Sequence, residues 1–299
     1  MRKQHDAMRH IRFPTLLAGL FVWGHAGIAE AQGFQRWFQV ELTIFSNESF
    51  ADRERETWRS DTLDLNFPPE MVRLGRLTDL LFLELFTADG EPEALEAEAE
   101  PPETELARLR DTGPFPAREA SGFRFPDLQR DPFLELPASY SDFRQTNQSI
   151  ERAGQYRVLY DAVWRQPIGD AGSATPIFVA GGDRYGSLAE LQGSVALNFN
   201  AGRDRVIFSA DLWLAEFGGA SGGEQWSLPP LPEALVETLG VEIPGNATAP
   251  AISRIYTMRQ QRELRSGEFH YLDHPALGIV VQITPYDLPP PFEFVDSQP

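Results

Sequence analysis

The segment LQGSVALNFNAGRDRVIFSADLWL, residues 191–214, carries the strongest secondary-structure signal in the chain. Apolar and polar side chains alternate in both halves, and the apolar set comprises Leu191, Val195, Leu197, Phe199, Val206, Phe208, Ala210, Leu212 and Leu214. Alternation with a period of two is typical of a strand with one buried face, and the Asn- and Gly-containing turn at 200–203 is typical of a β-hairpin. The segment therefore predicts two long antiparallel strands with a core on one side.

The same alternation recurs before and after this hairpin. It predicts a strand over 37–45, a strand from Tyr156 that ends before Pro167, and a short strand over 177–179 followed by a glycine-rich turn. It also predicts a final hairpin with arms at 252–272 and 277–283, separated by the turn Asp273-His274-Pro275.

Two segments have helical spacing instead. Over 70–86, apolar residues recur near helical spacing, which predicts an amphipathic helix. A second helix is predicted from Ser139 or Ser141 to Ala153, with Gly154 as its C-terminal stop. Strands joined by hairpins, together with about two helices, predict an α+β fold built mainly on antiparallel sheet, with a disordered acidic insertion.

Composition divides the chain into regions. Residues 91–105 hold seven glutamates and three prolines, and a segment with so little apolar surface to bury is expected to be disordered. The predicted order is a signal peptide over 1–31, a first strand and helix over 32–87, a disordered acidic and proline-rich linker over 88–120, a main α+β body over 121–287, and a proline-rich tail over 288–299.

The first 31 residues have the order of a secretory signal peptide. A basic start with four cationic residues precedes the apolar run 13–23, and Ala29-Glu30-Ala31 offers small residues at both positions that a signal peptidase reads. The apolar run is shorter than the ~20 residues that cross a bilayer, and an uncleaved N-terminal anchor is the alternative. Cleavage would leave Gln32 first, so we expect a periplasmic protein with no transmembrane segment after removal of the leader.

Charge and composition argue against several classes of function. Removal of residues 1–31 takes away four basic and two acidic residues and changes the net charge from −18 to −20. A polyanion of this kind repels nucleic acid, whose binding depends on clustered lysine and arginine. The only lysine is Lys3, and cysteine is absent. The mature chain therefore has no Walker lysine, Schiff-base lysine, thiol nucleophile or disulfide, and we expect no cofactor.

Two motifs are compatible with catalysis or metal binding, and each has a simpler interpretation. His270 and His274 lie four residues apart beside Asp273, a spacing that would place two imidazoles on one face of a continuous strand. Asp273 and Pro275 favour a turn, which would break that alignment. Residues 219–223 match G-x-S-x-G, but the sequence that follows does not begin a helix, as a nucleophile elbow requires. We therefore expect neither an enzyme nor a metal site.

Candidate binding residues come from the aromatic and basic side chains. Trp213 alternates against Leu212 and Leu214, so we expect its indole on the less apolar face of the strand, where it would stack on a sugar ring. The densest group of arginines precedes the turn of the final hairpin, and arginine pairs well with the carboxylates of muramyl peptides. The candidate ligand-binding residues are Trp213, Arg254, Arg259, Arg262, Arg265, His270 and His274.

Four blocks of sequence resemble a known protein family. The blocks are WFQVEL at 37–42, YRVLY and WRQP within 156–167, the hairpin region 193–214, and RSGEFHYLDHPALG at 265–278. On these residues the chain resembles the CsiV-type periplasmic peptidoglycan-binding proteins. The resemblance implies a non-enzymatic envelope protein that binds peptidoglycan and supports cell-wall assembly and cell shape. It assigns no binding residues.

Two classes of function follow from these observations. The first is a non-catalytic peptidoglycan-binding protein. Because peptidoglycan is itself anionic, such a protein needs a local face that bears arginine. The second is a protein-interaction adaptor, in which a sheet edge or the acidic segment 91–105 contacts a cell-wall synthase or its regulator without direct glycan binding.

Overall fold

The computed structural model describes residues 35–55, 59–77, 126–185, 188–218, 226–232, 235 and 251–290. The predicted signal peptide, the linker predicted over 88–120, the G-x-S-x-G motif and the tail beyond residue 290 lie outside these residues. Within the described ranges, no helix is both long enough and apolar enough to span a membrane.

The described residues form two four-stranded antiparallel sheets and two α-helices, which confirms the predicted α+β class. The strands are β1 (Arg36–Asn47), β2 (Tyr156–Ile168), β3 (Ile177–Tyr185), β4 (Leu188–Phe199), β5 (Val206–Phe217), β6 (Ile252–Leu264), β7 (His270–Asp273) and β8 (Leu277–Pro285), and the helices are α1 (Phe50–Arg53) and α2 (Arg144–Arg152). The first sheet has the order β2-β1-β8-β7, and the second has the order β3-β4-β5-β6.

One face of each sheet is buried against the other sheet, and the alternation in the sequence is the cause. On β1, Val40, Leu42 and Ile44 are fully buried, and side chains from all eight strands join them in one apolar cluster. Full burial of a side chain of this size contributes about 1.5–3 kcal/mol. The shared cluster therefore holds the two sheets together face to face.

The predicted central hairpin is confirmed as β4 and β5, which pair Leu191 with Leu214. The strand predicted over 37–45 is confirmed as part of β1. The final arm predicted over 277–283 is confirmed as part of β8, which pairs with β1 and β7.

Two predicted strand limits are wrong. β2 does not end before Pro167 but continues to Ile168, because it is an edge strand, where a residue without an N–H group is tolerated. The arm predicted over 252–272 is two strands in different sheets. β6 ends at Leu264, and Gly267, with a φ of 77°, lies in the turn that leads to β7.

The helix predicted over 70–86 is wrong for its first two turns, although Leu77 is helical. From Met71 to Arg76 the chain is extended, and residues 78–86 lie outside the described residues. Met71 and Leu74 are both buried, but they belong to different apolar clusters. Their spacing of three residues is compatible with one turn of a helix, but the segment is extended and places one residue in each of the two apolar clusters.

Helix α2 lies on the outer face of the first sheet, the face turned away from the shared core. It begins at Arg144, later than predicted, and the positive φ of 71° at Gly154 confirms the predicted stop. The buried carboxylate of Glu41 on β1 accepts a hydrogen bond from the amide of Phe143 at 2.7 Å. This bond ties the start of the helix to the sheet.

Candidate functional site

Trp213 is buried and is therefore not accessible to a ligand in this structure. Its indole does lie on the outer face of the second sheet, as the alternation predicts, but only 1% of it is exposed. It packs against Trp226 and Ile255, and its ring centroid is 4.9 Å from that of Phe67. The segments around Phe67 and Trp226 cover this face, which the sequence prediction did not anticipate.

The arginines predicted to form a binding face are spread along β6 and the turn that follows it, and they do not converge. Arg254 and Arg262 are separated by roughly 26 Å of strand at about 3.3 Å per residue. Three of the four pair with carboxylates: Arg254 with Glu54, Arg259 with Asp211 at 3.0 Å, and Arg265 with Glu268 at 3.8 Å. Arg262 is exposed, and within the described part of the chain it forms no ion pair. These four residues therefore make no common cationic surface.

The two histidines bond to nearby backbone. Nε2 of His270 accepts from the amide of Arg265 at 3.0 Å, and Nδ1 of His274 accepts from the amide of Ala276 at 3.2 Å. Among the described residues, no three side chains of the types that ligate metals come together. His270 and His274 thus stabilise the turns on either side of β7.

A different site forms where the edge strands β2 and β3 meet. Gly181 lies so close to β2 that a Cβ atom would be 2.0 Å from the carbonyl oxygen of Leu159. Gly182 has a φ of 72°, and the register between β3 and β4 shifts between Gly181 and Arg184. A bulge of this kind redirects the residues that follow it. The glycine pair, predicted as a turn, is instead a bulge within β3 that positions Arg184.

The extended segment from Met71 to Arg76 completes the site from the other side. The amide of Val72 donates to the carbonyl of Pro176 at 2.9 Å, just before β3. The amide of Gly75 donates to the carbonyl of Phe133 at 2.9 Å, in a stretch that pairs with β2. These bonds hold Arg73 and Arg76 on the edge of the opening.

We call this opening the arginine cleft. It has a volume of about 400 Å³, and its charged and phenolic lining residues are Arg73, Arg76, Arg184, Glu135, Asp161 and Tyr160. Nε of Arg76 lies 3.0 Å from Oε2 of Glu135. Three guanidinium groups against two carboxylates give a locally positive site on a chain of net charge −18.

The electrostatics of the arginine cleft favour an anionic ligand. Partial desolvation lowers the pKa of Arg184, and the nearby charges of Arg73 and Arg76 lower it further, because like charges repel. Burial and the nearby charge of Glu135 raise the pKa of Tyr160, so its phenol stays protonated. A bound carboxylate would relieve the repulsion and accept hydrogen bonds from a guanidinium fork.

Sequence reasoning missed the arginine cleft because its arginines lie in segments predicted to have other conformations. Arg73 and Arg76 lie in the supposed helix, and Arg184 follows the supposed glycine turn. The available signal was the glycine pair at 181–182, since glycine inside a strand pattern often marks a bulge or a close backbone approach.

Comparison with known proteins identifies the family. A family model described as "Peptidoglycan-binding protein, CsiV" matches residues 15–286, nearly the whole chain. No curated protein and no solved structure matches the chain. The extent of the family match confirms the resemblance seen in the four sequence blocks. The chain belongs to the CsiV family of peptidoglycan-binding proteins.

Proposed function

We propose that this protein is a non-catalytic periplasmic protein that binds peptidoglycan and supports cell-wall assembly and cell shape. The observation that carries the proposal is the arginine cleft, in which Arg184 lies within electrostatic reach of Arg73 and Arg76. The peptide stems of peptidoglycan end in carboxylates, a group that a guanidinium fork binds through two parallel hydrogen bonds. Membership of a family described by binding supports the non-catalytic assignment.

The arginine cleft answers the difficulty that both partners are anionic. At a net charge of −18, the protein as a whole repels an anionic polymer. Salt screens that repulsion over about 8–10 Å, whereas contacts inside a cleft are screened less. Binding is therefore expected to depend on a few close contacts in the cleft, with little help from long-range attraction.

Retention on purified sacculi tests the proposal. We expect the wild-type protein to pellet with sacculi, and Arg184→Glu to weaken retention at least tenfold, since losing hydrogen bonds to a charged group costs about 1.5–3 kcal/mol. Arg262→Glu is the matched control, because it makes the same change of charge on the exposed part of β6. Arg262→Glu should change retention by less than about twofold.

Isolated stem peptides extend this test to the ligand group. They should compete with sacculi for the wild-type protein, whereas peptides amidated at their carboxylates should not. Wall binding is wrong if the wild-type protein stays in the supernatant at both low and moderate salt. The arginine cleft is not the binding site if Arg262→Glu weakens retention as much as Arg184→Glu.

The periplasmic location rests on the leader and has its own test. N-terminal sequencing of protein recovered from the periplasmic fraction should begin at Gln32. A protein that remains in the membrane fraction with residues 1–31 attached would support the anchor alternative.

An adaptor for a cell-wall synthase or its regulator is the second candidate function. The observation that favours it is that the long strand β6 lies at the edge of the second sheet, since an edge strand can pair with a strand of a partner. Capture of such a partner from envelope extract after enzymatic removal of peptidoglycan would support the adaptor, and loss of capture would support wall binding.

A further inference from the structure

The outer face of the first sheet carries a row of aromatic side chains. The ring of Phe45 on β1 lies between Tyr156 on β2, at a centroid distance of 5.3 Å, and Tyr271 on β7, at 6.2 Å. The rings of Phe45 and Tyr271 are almost parallel, with an interplanar angle of 6°. β8 runs between the strands that carry these two rings.

A glycine on β8 makes the row possible. Gly278 pairs with Phe45, and a Cβ atom at this position would lie 2.3 Å from the ring of Phe45. The ring therefore lies directly over the backbone of β8 and reaches Tyr271 on the far side. Any larger residue at position 278 would displace the ring that supports Tyr271.

Two exposed aromatic rings lie at β7 and just before it, and each is supported by a second ring. Tyr271 is 48% exposed and stacks on Phe45, whereas Phe269 is 60% exposed and stacks on the buried ring of Phe143 at 5.3 Å. We call Tyr271 and Phe269 the aromatic platform. Because each ring already packs against a second ring, less side-chain entropy would be lost when a ligand stacks on it than for an unsupported ring.

A carboxylate lies beside the platform. The hydroxyl of Tyr271 donates to Oδ1 of Asp273 at 2.7 Å, which leaves the second carboxylate oxygen able to accept from a ligand. Burial and this hydrogen bond raise the pKa of Tyr271, so the phenol remains a donor to Asp273. A sugar has an apolar ring face and hydroxyl groups at its rim. Flat apolar rings beside a carboxylate that accepts hydrogen bonds from hydroxyl groups complement both features.

The area of the platform argues against a protein partner. Two partly exposed rings offer roughly 200 Å² of apolar surface. A stable protein interface buries about 800 Å² on each partner. The platform therefore has the size for one or two sugar rings.

We propose that the aromatic platform binds the pyranose rings of an N-acetylated glycan, with Asp273 accepting a hydrogen bond from a sugar hydroxyl. This inference deepens the proposed function, since the arginine cleft would take the peptide carboxylates and the platform would take the glycan strand. Nothing in the arginine cleft is required for the platform to bind sugar.

Titration with the tetramer of β-1,4-linked N-acetylglucosamine tests the platform, because this glycan has no peptide stem. Binding to the full mature chain is measured by calorimetry and by backbone amide chemical shifts. We expect saturable binding that Tyr271→Ala and Phe269→Ala each weaken about tenfold. Phe50→Ala, which removes a 75% exposed ring from α1, is the control and should bind as the wild type does. Tyr271→Phe keeps the ring and should lose less affinity than Tyr271→Ala.

The outcomes separate this inference from the proposed function. If sacculi retain the protein but the tetramer does not bind at millimolar concentration, glycan binding by the platform is wrong and wall binding is supported. If the tetramer binds but sacculi do not retain the protein, the platform stands and wall binding is wrong. The platform is also wrong if Phe50→Ala weakens binding equally, or if Tyr271→Ala changes the oligomeric state, which would make this face an interface between copies.

Discussion

The arginines of β6 and those of the arginine cleft differ in how the chain brings them to the surface. Arg254, Arg259 and Arg262 are neighbours in sequence, but an extended strand separates them in space, and two of them pair with carboxylates of this chain. Arg73 and Arg184 are far apart in sequence, yet the meeting of β2 and β3 places them on one cleft.

The difference shows that local density of charge in a sequence does not predict a charged site on a strand. Each residue adds about 3.3 Å along a strand, so arginines a few positions apart do not reach the same ligand group. The bulge in β3 and the meeting of β2 with β3 bring distant arginines together instead. In this protein, the arginines of the cleft lie near one another as well as near acids, whereas Arg254 and Arg259 on β6 pair with separate carboxylates and lie apart.

The largest effect is expected at Arg53, which is buried and represents a third group of arginines. Arg53 is buried on α1 and pairs with Glu48 at 3.0 Å and with Glu216 on β5 at 2.6 Å. We expect Arg53→Ala to lower the free energy of unfolding by about 3 kcal/mol, the low end for a buried ion pair, because Glu216 loses its cation while Glu48 keeps Arg157 at 3.5 Å. Chemical denaturation measures the effect, and sacculus retention per folded molecule should not change.

Arg55→Ala is the control for this prediction. Arg55 also pairs with an acid of α1, Asp52 at 2.9 Å, but its side chain is 73% exposed. Its loss should change stability by less than about 1 kcal/mol. A similar loss of stability in both variants would show that burial does not distinguish the two arginines.

The second largest effect is expected at Gly181, whose contact with β2 shapes the arginine cleft. A methyl group there would be 2.0 Å from the carbonyl oxygen of Leu159, so the strands must separate. We expect Gly181→Ala to lower stability by about 1–3 kcal/mol and to weaken sacculus retention as well.

Gly172→Ala is the matched control for Gly181→Ala, because a Cβ atom at Gly172 meets nothing within 4 Å. Its effect on stability should stay within about 0.5 kcal/mol. If Gly181→Ala is as stable as the wild type and is retained equally well, the close approach of β3 to β2 does not shape the cleft.

The smallest effect is expected for the exposed pair of Arg259 and Asp211. A double-mutant cycle with Arg259→Ala and Asp211→Ala should give a coupling energy of about 0.2–1 kcal/mol, because the two side chains are 49% and 39% exposed. Neither variant should change sacculus retention by more than about twofold. A large loss of retention for Arg259→Ala alone would restore β6 as the binding face.

The strands were predictable because the buried face of each strand is visible in its own sequence as an alternation of apolar and polar residues. Val40, Leu42 and Ile44 alternate with polar residues, and that period does not depend on which sheet they join. The break between β6 and β7 was not predictable in this way, since both flanks continue a strand pattern and only the turn at Gly267 separates the sheets.

The candidate site was less predictable because it depends on contacts between distant segments. The alternation placed Trp213 on the correct face, but the residues that cover this face, such as Phe67 and Leu228, come from irregular segments without a period. Likewise, the spacing of Met71 and Leu74 satisfies a helix as well as an extended segment between two clusters. The arginines and the glycine pair are visible in the sequence, but the sequence does not show that they lie close together in the fold.

The pairing of β1 with β8 has a consequence for the order of folding. β1 occupies an inner position of the first sheet, and one of its two neighbours is the last strand of the described chain. During synthesis, β1 is the first of these strands to be made. Its second edge cannot be covered until β8 has been made, near the end of the described chain. Such long-range pairing slows folding. A chain that stops before residue 277 would leave β1 with an open, apolar edge, so incomplete copies of this protein should aggregate instead of folding in part.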